Sequence, residues 1–357
     1  MINLFIILMI LFFPLTTYSK TLLEKVSPDI SFLWGIAALN KQEVLVTQKS
    51  GNVFRINVFT KNINKIYGTP KVFASGQGGL LDIAIEKNDK YLNVYLCLSK
   101  PIGNNKSSTA IYKYNLINDN LLNKKILFVS NSPSSVPGHF GCRLSINGKF
   151  IFATLGERQN RHNAQKFSNH SGSVIKILKN GKNFKNNNIK QKWLPELFTI
   201  GHRNPQGLAF NHISNQLWLH EHGPQGGDEI NILLEGKNYG WPIVSYGEEY
   251  GGGKIGEGIT KFGFEEPVWV WTPSIAPSGM IFYRGSMFDE FKNTILVGSL
   301  KFKRLHVLKI HENIPISEKI ILENKIGRIR DIEEMHDGSI ILINDELKGG
   351  VYRLYRQ

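Results

Sequence analysis

The sequence predicts an all-β fold, a six-bladed β-propeller with four-stranded antiparallel blades. Three observations carry that expectation. A strand–turn–strand unit recurs six times, the copies lie about 45 to 80 residues apart, and most copies end in a further strand of the form Gly-x-Val-x-Arg/Lys-Ile. Each strand alternates apolar and polar residues, the period of a sheet with one buried face.

The copies run in order along the chain. The first comprises SFLWGIAALN, EVLVTQ and GNVFRI, and the second GQGGLLDIAI, YLNVYLCL and AIYKYNL. The third comprises GHFGCRLSI, KFIFATLGE and GSVIKIL, and the fourth is the polar-rich stretch GHRNPQGLAFNHISNQLWLHEHGPQGGDEINIL. The fifth is PSIAPSGMIFY, TILVGSL and RLHVLKI, and the sixth is GRIRDIEEM, SIILIND and GGVYRLY. Asn147-Gly148 and Asp337-Gly338 fall where a two-residue hairpin turn with positive φ angles is expected. A β-sandwich also has short alternating strands, but it need not repeat one unit in this way. The glycine run GGGKIGEG is not followed by an amphipathic helix, so it reads as an insertion in a blade and not as a nucleotide loop.

Composition limits the remaining possibilities. The 357 residues are 41% hydrophobic and 20% charged, with no linker or low-complexity run, so one propeller domain is expected over residues 20–357. Residues 4–15 are almost wholly apolar, and Thr17-Tyr18-Ser19 presents small residues where a signal peptidase cleaves. Residues 1–19 therefore read as a signal peptide, and the protein as periplasmic. The apolar stretch is short for a membrane span, so no stable membrane insertion is expected after cleavage. Two cysteines, Cys97 and Cys142, make neither a disulfide framework nor a thiolate metal site, and buried free thiols are expected. The net charge of +14 is scattered, without a recognition helix or a basic stripe carrying stacking aromatics, which argues against nucleic acid and for an anionic ligand.

Polar groups sit at equivalent strand starts. Gln77, His139, the trio Arg203, Asn204 and Gln206, Ser274, and the pair Arg328 and Arg330 each precede the first strand of a repeat. In a propeller, equivalent strand starts share one face, so five of six repeats deliver these groups to one end of the central channel. Lys301 follows a second strand, which in simple register is the opposite end, so its loop would have to curl inward. Guanidiniums with amide and hydroxyl donors suit a planar, multiply carboxylated ligand. The imidazole among them suits a general base.

These residues lie in motifs that resemble the soluble quinoprotein glucose/sorbosone dehydrogenases, and within them the bacterial periplasmic aldose sugar dehydrogenases. The matching pieces are GQGGLLDIAI, HFGCRL, GHRNPQGLAF, EHGPQGGDEINIL followed by GKNYGWP, SIAPSGM and GRIRD, spread over nearly the whole chain after residue 19. The resemblance implies a six-bladed propeller holding pyrroloquinoline quinone (PQQ) and calcium, and oxidation of an aldose C1 hydroxyl to a lactone. It implies catalytic roles for His139, as general base, and Arg203. It implies cofactor contacts from Gln77, Asn204, His222, Ser274, Lys301, Arg328 and Arg330. It also implies calcium ligation by the carbonyls of Gly223 and Pro224, with Glu229 and the Tyr239 backbone near calcium positions and Asp228 beside them.

Some positions depart from the family pattern. Cys142 stands where glycine is common, Gly138 precedes His139 where some relatives have aspartate, and His222 replaces a glutamine. Gly138 leaves the imidazole without an identified orienting partner. His220 and His222, two apart on one strand face, imitate a metal pair. The expected partners are a small aldose and an unidentified electron acceptor, in a monomer or homodimer. The competing readings are a calcium-dependent propeller lactonase, which would want a ring of carboxylates, and a non-catalytic ligand-binding propeller.

Overall fold

The computed structural model describes residues 20–87, 91–182 and 192–357, so the expected signal peptide lies outside the described residues. These residues form six antiparallel blades, with only two short 3-10 turns, Arg161–Gln165 and Asp289–Phe291.

The first strands of the blades are Leu33–Ala38, Leu80–Lys87, Gly141–Asn147, Pro205–Asn211, Pro277–Phe282 and Ile329–Glu334. Each packs on the next, and Ile329–Glu334 packs back on Leu33–Ala38, so the six strands form a closed ring. The last blade is completed from the other end of the chain. Thr21–Lys25 pairs antiparallel with Val351–Arg356, with Leu23 opposite Leu354. This closure ties the two ends of the chain into one blade. The third blade carries a short parallel fifth strand, Lys237–Asn238.

The central strands of a blade are buried on both faces, because a neighbouring blade covers each side. In Glu43–Gln48 the inner residues Val44, Leu45 and Val46 are wholly buried, and Ile340–Asn344 buries all five of its residues. Burying each such aliphatic side chain is worth about 1.5–3 kcal/mol. The clusters lie between blades: Trp34, Leu81, Phe140, Cys142 and Leu155 come from three successive repeats.

All six inner strands carry a register irregularity near their starts: after Leu33, Leu80, Gly141, Pro205, Pro277 and Ile329. A bulge places two residues against one and re-aims the side chains around it. The same device at the same level of six blades accompanies the residues that line the channel there, the apolar Trp34 and Leu81 as well as Gln206 and Arg330.

Two expectations change. At the hairpin turns only the glycines take positive φ, Gly148 at +54° and Gly338 at +81°. Asn147 still pairs with Phe150, so Gly148 and Lys149 are the two turn residues, and a glycine in the first position needs positive φ only there. Asp337 instead holds its turn by accepting from the Ser339 amide at 2.9 Å.

The cysteines are also not free. Cys97 and Cys142 form a disulfide between the second and third blades, because the second strand of one blade, Leu92–Gly103, packs against the inner strand Gly141–Asn147 of the next and brings their α-carbons to 5.7 Å. The bridge closes a separation of 45 residues. Replacing both cysteines by serine is expected to lower the unfolding free energy by about 2–4 kcal/mol, measured by urea denaturation.

Candidate functional site

The bulged starts of the inner strands converge on a cavity of about 250 Å³ at one end of the channel. Gln77, Asn204, Gln206, His222, Arg328 and Arg330 line its walls, with Lys49 and Asp345, over an apolar floor that includes Trp34, Leu81 and Phe140. The ring expected from strand starts is therefore largely assembled. A larger cavity of about 430 Å³ opens at the other end of the channel and is lined mainly by strand interiors.

His139 stands in a tight turn with φ +50°. Its amide donates to Gln77 Oε1 at 2.8 Å. Its Nδ1 lies 2.6 Å from Glu157 Oε2, in a pair almost closed to solvent. A carboxylate there accepts an Nδ1–H and leaves Nε2 as the basic nitrogen. Glu157 is thus the orienting partner that Gly138 left unidentified. The Glu157 amide in turn donates to the Arg203 carbonyl at 2.9 Å, which joins the two residues given catalytic roles.

A second His–Glu pair repeats this arrangement one blade further on. His202 Nδ1 lies 2.6 Å from Glu221 Oε1, and the other oxygen of Glu221 accepts the Arg203 amide at 2.5 Å. The His202 ring stacks on Tyr239 with centroids 4.8 Å apart. Arg203 is thereby pinned at its backbone while its guanidinium reaches the carbonyls of His222, 3.2 Å away, and Gly223, 2.9 Å away. It also lies 5.4 Å from the centre of the Trp241 ring.

The cationic wall is braced from behind. Arg330 donates to Asp345 at 2.8 Å and to Gln206 Oε1 at 3.3 Å, and Arg328 lies 3.5 Å from the same Asp345 carboxylate. Those cations hold the Asp345 carboxyl below its usual range, against the opposing effect of burial. His222 Nε2 donates to the Pro277 carbonyl at 2.6 Å. Burial, with Arg203 and Arg330 nearby, drives the His222 pKa down to about 3, so the ring is neutral and Nδ1 is its acceptor. His220 is wholly buried against Gly207 and is not a cavity wall, so the two histidines are not a metal pair.

Two predicted contacts lie outside the cavity lining. Ser274 sits beside the Asp228 carboxylate. Lys301 is exposed, with its ammonium 5.2 Å from the centre of the Phe302 ring. The register expectation for Lys301 is corrected, because in an antiparallel hairpin the end of the second strand lies beside the start of the first. The Lys301 amide accordingly donates to the Ile275 carbonyl, 3.2 Å away, on the cavity face.

Among the described residues no group of three His, Cys, Asp or Glu side chains is assembled to hold a metal. The turn at Gly223 is instead rich in carbonyls. Besides the two that face Arg203, a β-carbon on Gly223 would meet the Gly226 and Gly227 oxygens at 2.3 and 2.4 Å. Asp228 braces this turn by accepting the amides of Gly223, Ile275 and Ala276 at 2.7–2.8 Å, and burial raises its pKa to about 6. Glu229 stands opposite Glu221 in the strand pairing, and burial and that neighbouring charge raise its pKa well above normal. The Tyr239 hydroxyl is taken up by the Ile232 carbonyl at 2.7 Å.

Glu157, Glu221, Lys49 and Asp345 were not read as site residues from the sequence. They share one signal: each closes the second strand of its repeat, where an antiparallel hairpin returns to the face on which the first strand began.

Comparison with known proteins follows the same lines. Residues 30–353 match the model of the glucose/sorbosone dehydrogenase family. The chain is 34% identical over 341 residues to the aldose sugar dehydrogenase YliI of Escherichia coli, covering 93% of this chain and 92% of that one. It is 24% identical over 418 residues to quinoprotein glucose dehydrogenase B of Acinetobacter calcoaceticus, covering 94% and 86%. The crystal structure of the soluble aldose sugar dehydrogenase from Escherichia coli in its apo-form superposes with a TM-score of 0.89 at 32% identity, covering 95% of this chain and all of that one.

Proposed function

The chain belongs to the glucose/sorbosone dehydrogenase family, and on that premise we propose that it is a PQQ-dependent aldose dehydrogenase that oxidises the C1 hydroxyl of a sugar to a lactone. The observation that carries the reading is the carboxylate-held base: His139, fixed through Nδ1 by Glu157, beside a cavity walled by Arg328, Arg330 and Asn204.

The residues present fit the cofactor. A planar tricarboxylate needs cationic and neutral donors around a narrow slot, and the guanidiniums of Arg328 and Arg330 with the amides of Asn204 and Gln77 supply them over an apolar floor. The turn at Gly223 crowds the Gly226 and Gly227 oxygens together, a set of the kind calcium prefers, and Gly223 and Pro224 would hold the ion there once the Arg203 guanidinium leaves the Gly223 carbonyl it now occupies. When bound, the quinone supplies the hydride acceptor for the sugar C1 hydrogen.

The chain's own residues do the rest. His139 Nε2 takes the proton of the C1 hydroxyl, while Glu157 keeps Nδ1 protonated and steadies the imidazolium that results. Arg203, pinned by Glu221, sets a guanidinium where negative charge develops. Together the hydride and the proton leave the sugar as its lactone. His222, neutral and turned by Pro277, offers an acceptor at the cavity wall. The Cys97–Cys142 bridge supports passage through an oxidising compartment, as an exported periplasmic protein would make.

The test is titration of the calcium-loaded protein with PQQ, followed by a panel of aldoses with an artificial electron-accepting dye. Saturable binding with sugar-dependent dye reduction is the expected result. Absence of PQQ binding would remove the reading.

A further inference from the structure

The second, fourth and sixth blades bring polar groups to the cavity from their inner-strand starts, as Gln77, Asn204 with Gln206, and Arg328 with Arg330, whereas the first blade brings none from its own. We propose that Lys49 fills that place and binds an anionic carboxylate edge of the cofactor. The inference rests on the PQQ reading above and adds to it a residue from outside the strand starts.

Lys49 directly follows the strand Glu43–Gln48, the second of its blade, and so returns to the cavity face. Its side chain lines the same cavity as Gln77, Arg328 and Arg330. The position is held rigidly. The Lys49 amide donates to the Phe32 carbonyl at 3.1 Å, and its own carbonyl accepts the Leu80 amide at 3.1 Å. Gly79 approaches so closely that a β-carbon there would lie 2.1 Å from the Lys49 oxygen. The backbone carrying Lys49 therefore cannot shift without moving the start of the second blade.

Its ammonium donates to the Gly76 carbonyl at 2.9 Å, one residue before Gln77. An ammonium has three donors, and among the described residues this is its one hydrogen bond, so two remain for a ligand. Charge points the same way. Lys49, Arg328 and Arg330 face a single carboxylate, Asp345, in this part of the lining, and Asp345 is already engaged by Arg330. The cations outnumber their counter-charge in a half-buried pocket, an arrangement that an incoming polycarboxylate balances. Burial and the two guanidiniums also lower the Lys49 pKa, as expected for a cation without a full set of partners.

PQQ binding to the calcium-loaded full-length chain, followed by quenching of tryptophan fluorescence, tests this without relying on turnover. Lys49→Met is expected to raise the dissociation constant at least about tenfold, the size of a lost charge-assisted hydrogen bond, and to weaken its dependence on salt. Lys49→Arg should stay within about threefold of wild type. Lys49→Gln keeps a donor for the Gly76 carbonyl but no charge. If it binds as weakly as Lys49→Met, the charge is what matters. If it restores wild-type affinity, Lys49 only braces the Gln77 loop and the proposal is overturned. Wild-type binding with Lys49→Met unchanged overturns the Lys49 role alone. Failure of the wild type to bind PQQ overturns the functional reading along with it.

Discussion

Replacing His139 by alanine is expected to cut sugar-dependent dye reduction by about 10²- to 10⁴-fold while leaving PQQ affinity within severalfold of wild type. The two parts of this expectation come from separate contacts. The cavity lining holds Gln77, Asn204, Arg328 and Arg330 but not His139, so its side chain contributes little to holding the cofactor. Its chemistry depends on the tautomer enforced by Glu157 at 2.6 Å. Glu157→Gln should therefore lower kcat as well, because an amide can present its NH₂ to Nδ1 and favour the opposite tautomer. Its KM should change far less than its kcat. A Glu157→Gln enzyme with wild-type kcat would show that the carboxylate does not set the tautomer, and a His139→Ala enzyme within severalfold of wild type would show that His139 is not the base. Both comparisons use saturating PQQ, so a loss of cofactor is not counted as a loss of chemistry.

The architecture was legible because it repeats. A unit such as GHFGCRLSI followed by KFIFATLGE carries alternation, a turn and a polar entry in so few residues that six copies leave little choice of fold. The strand that closes the ring was not legible. Thr21–Lys25, TLLEK, has no turn or partner nearby in the sequence, and what makes it a strand is Val351–Arg356, more than three hundred residues away. The site divides along the same line. Groups at strand entries were found because entry position is a local property. Glu157 and Lys49 were missed because their relation to the cavity depends on an antiparallel return, a property of the hairpin rather than of either strand. The same geometry misplaced Lys301 at the sequence level. The Cys97–Cys142 bridge depends on how two neighbouring blades face each other, which spacing alone does not state.

The largest loss of stability is expected from Arg143→Met, at about 3–5 kcal/mol. Arg143 crosses the channel beneath the cavity and is only 4% exposed. Its guanidinium meets Asp331 at 2.8 Å and Asp82 at 3.2 Å, donates to the carbonyls of Gln206 at 2.7 Å and Arg330 at 2.9 Å, and lies 4.2 Å from the centre of the Trp34 ring. Four blades thus share one cation, and methionine would fill much of its volume while leaving two buried carboxylates without their counter-charge. Burial already raises the Asp82 pKa from 3.8 to about 7 even with Arg143 present, and raises that of Asp331 too. A carboxyl whose folded pKa is raised holds its proton more tightly in the native state. Its contribution is therefore full below 3.8, the unfolded value, and is lost as pH rises towards about 7. Removing Arg143 pushes both folded values higher, so the variant should lose more stability at pH ~8 than at pH ~5, where the carboxyls can stay protonated. Urea denaturation of both proteins at the two pH values reads this directly. An equal loss at both would mean that packing over Trp34, and not charge, is what Arg143 supplies to the centre of the propeller.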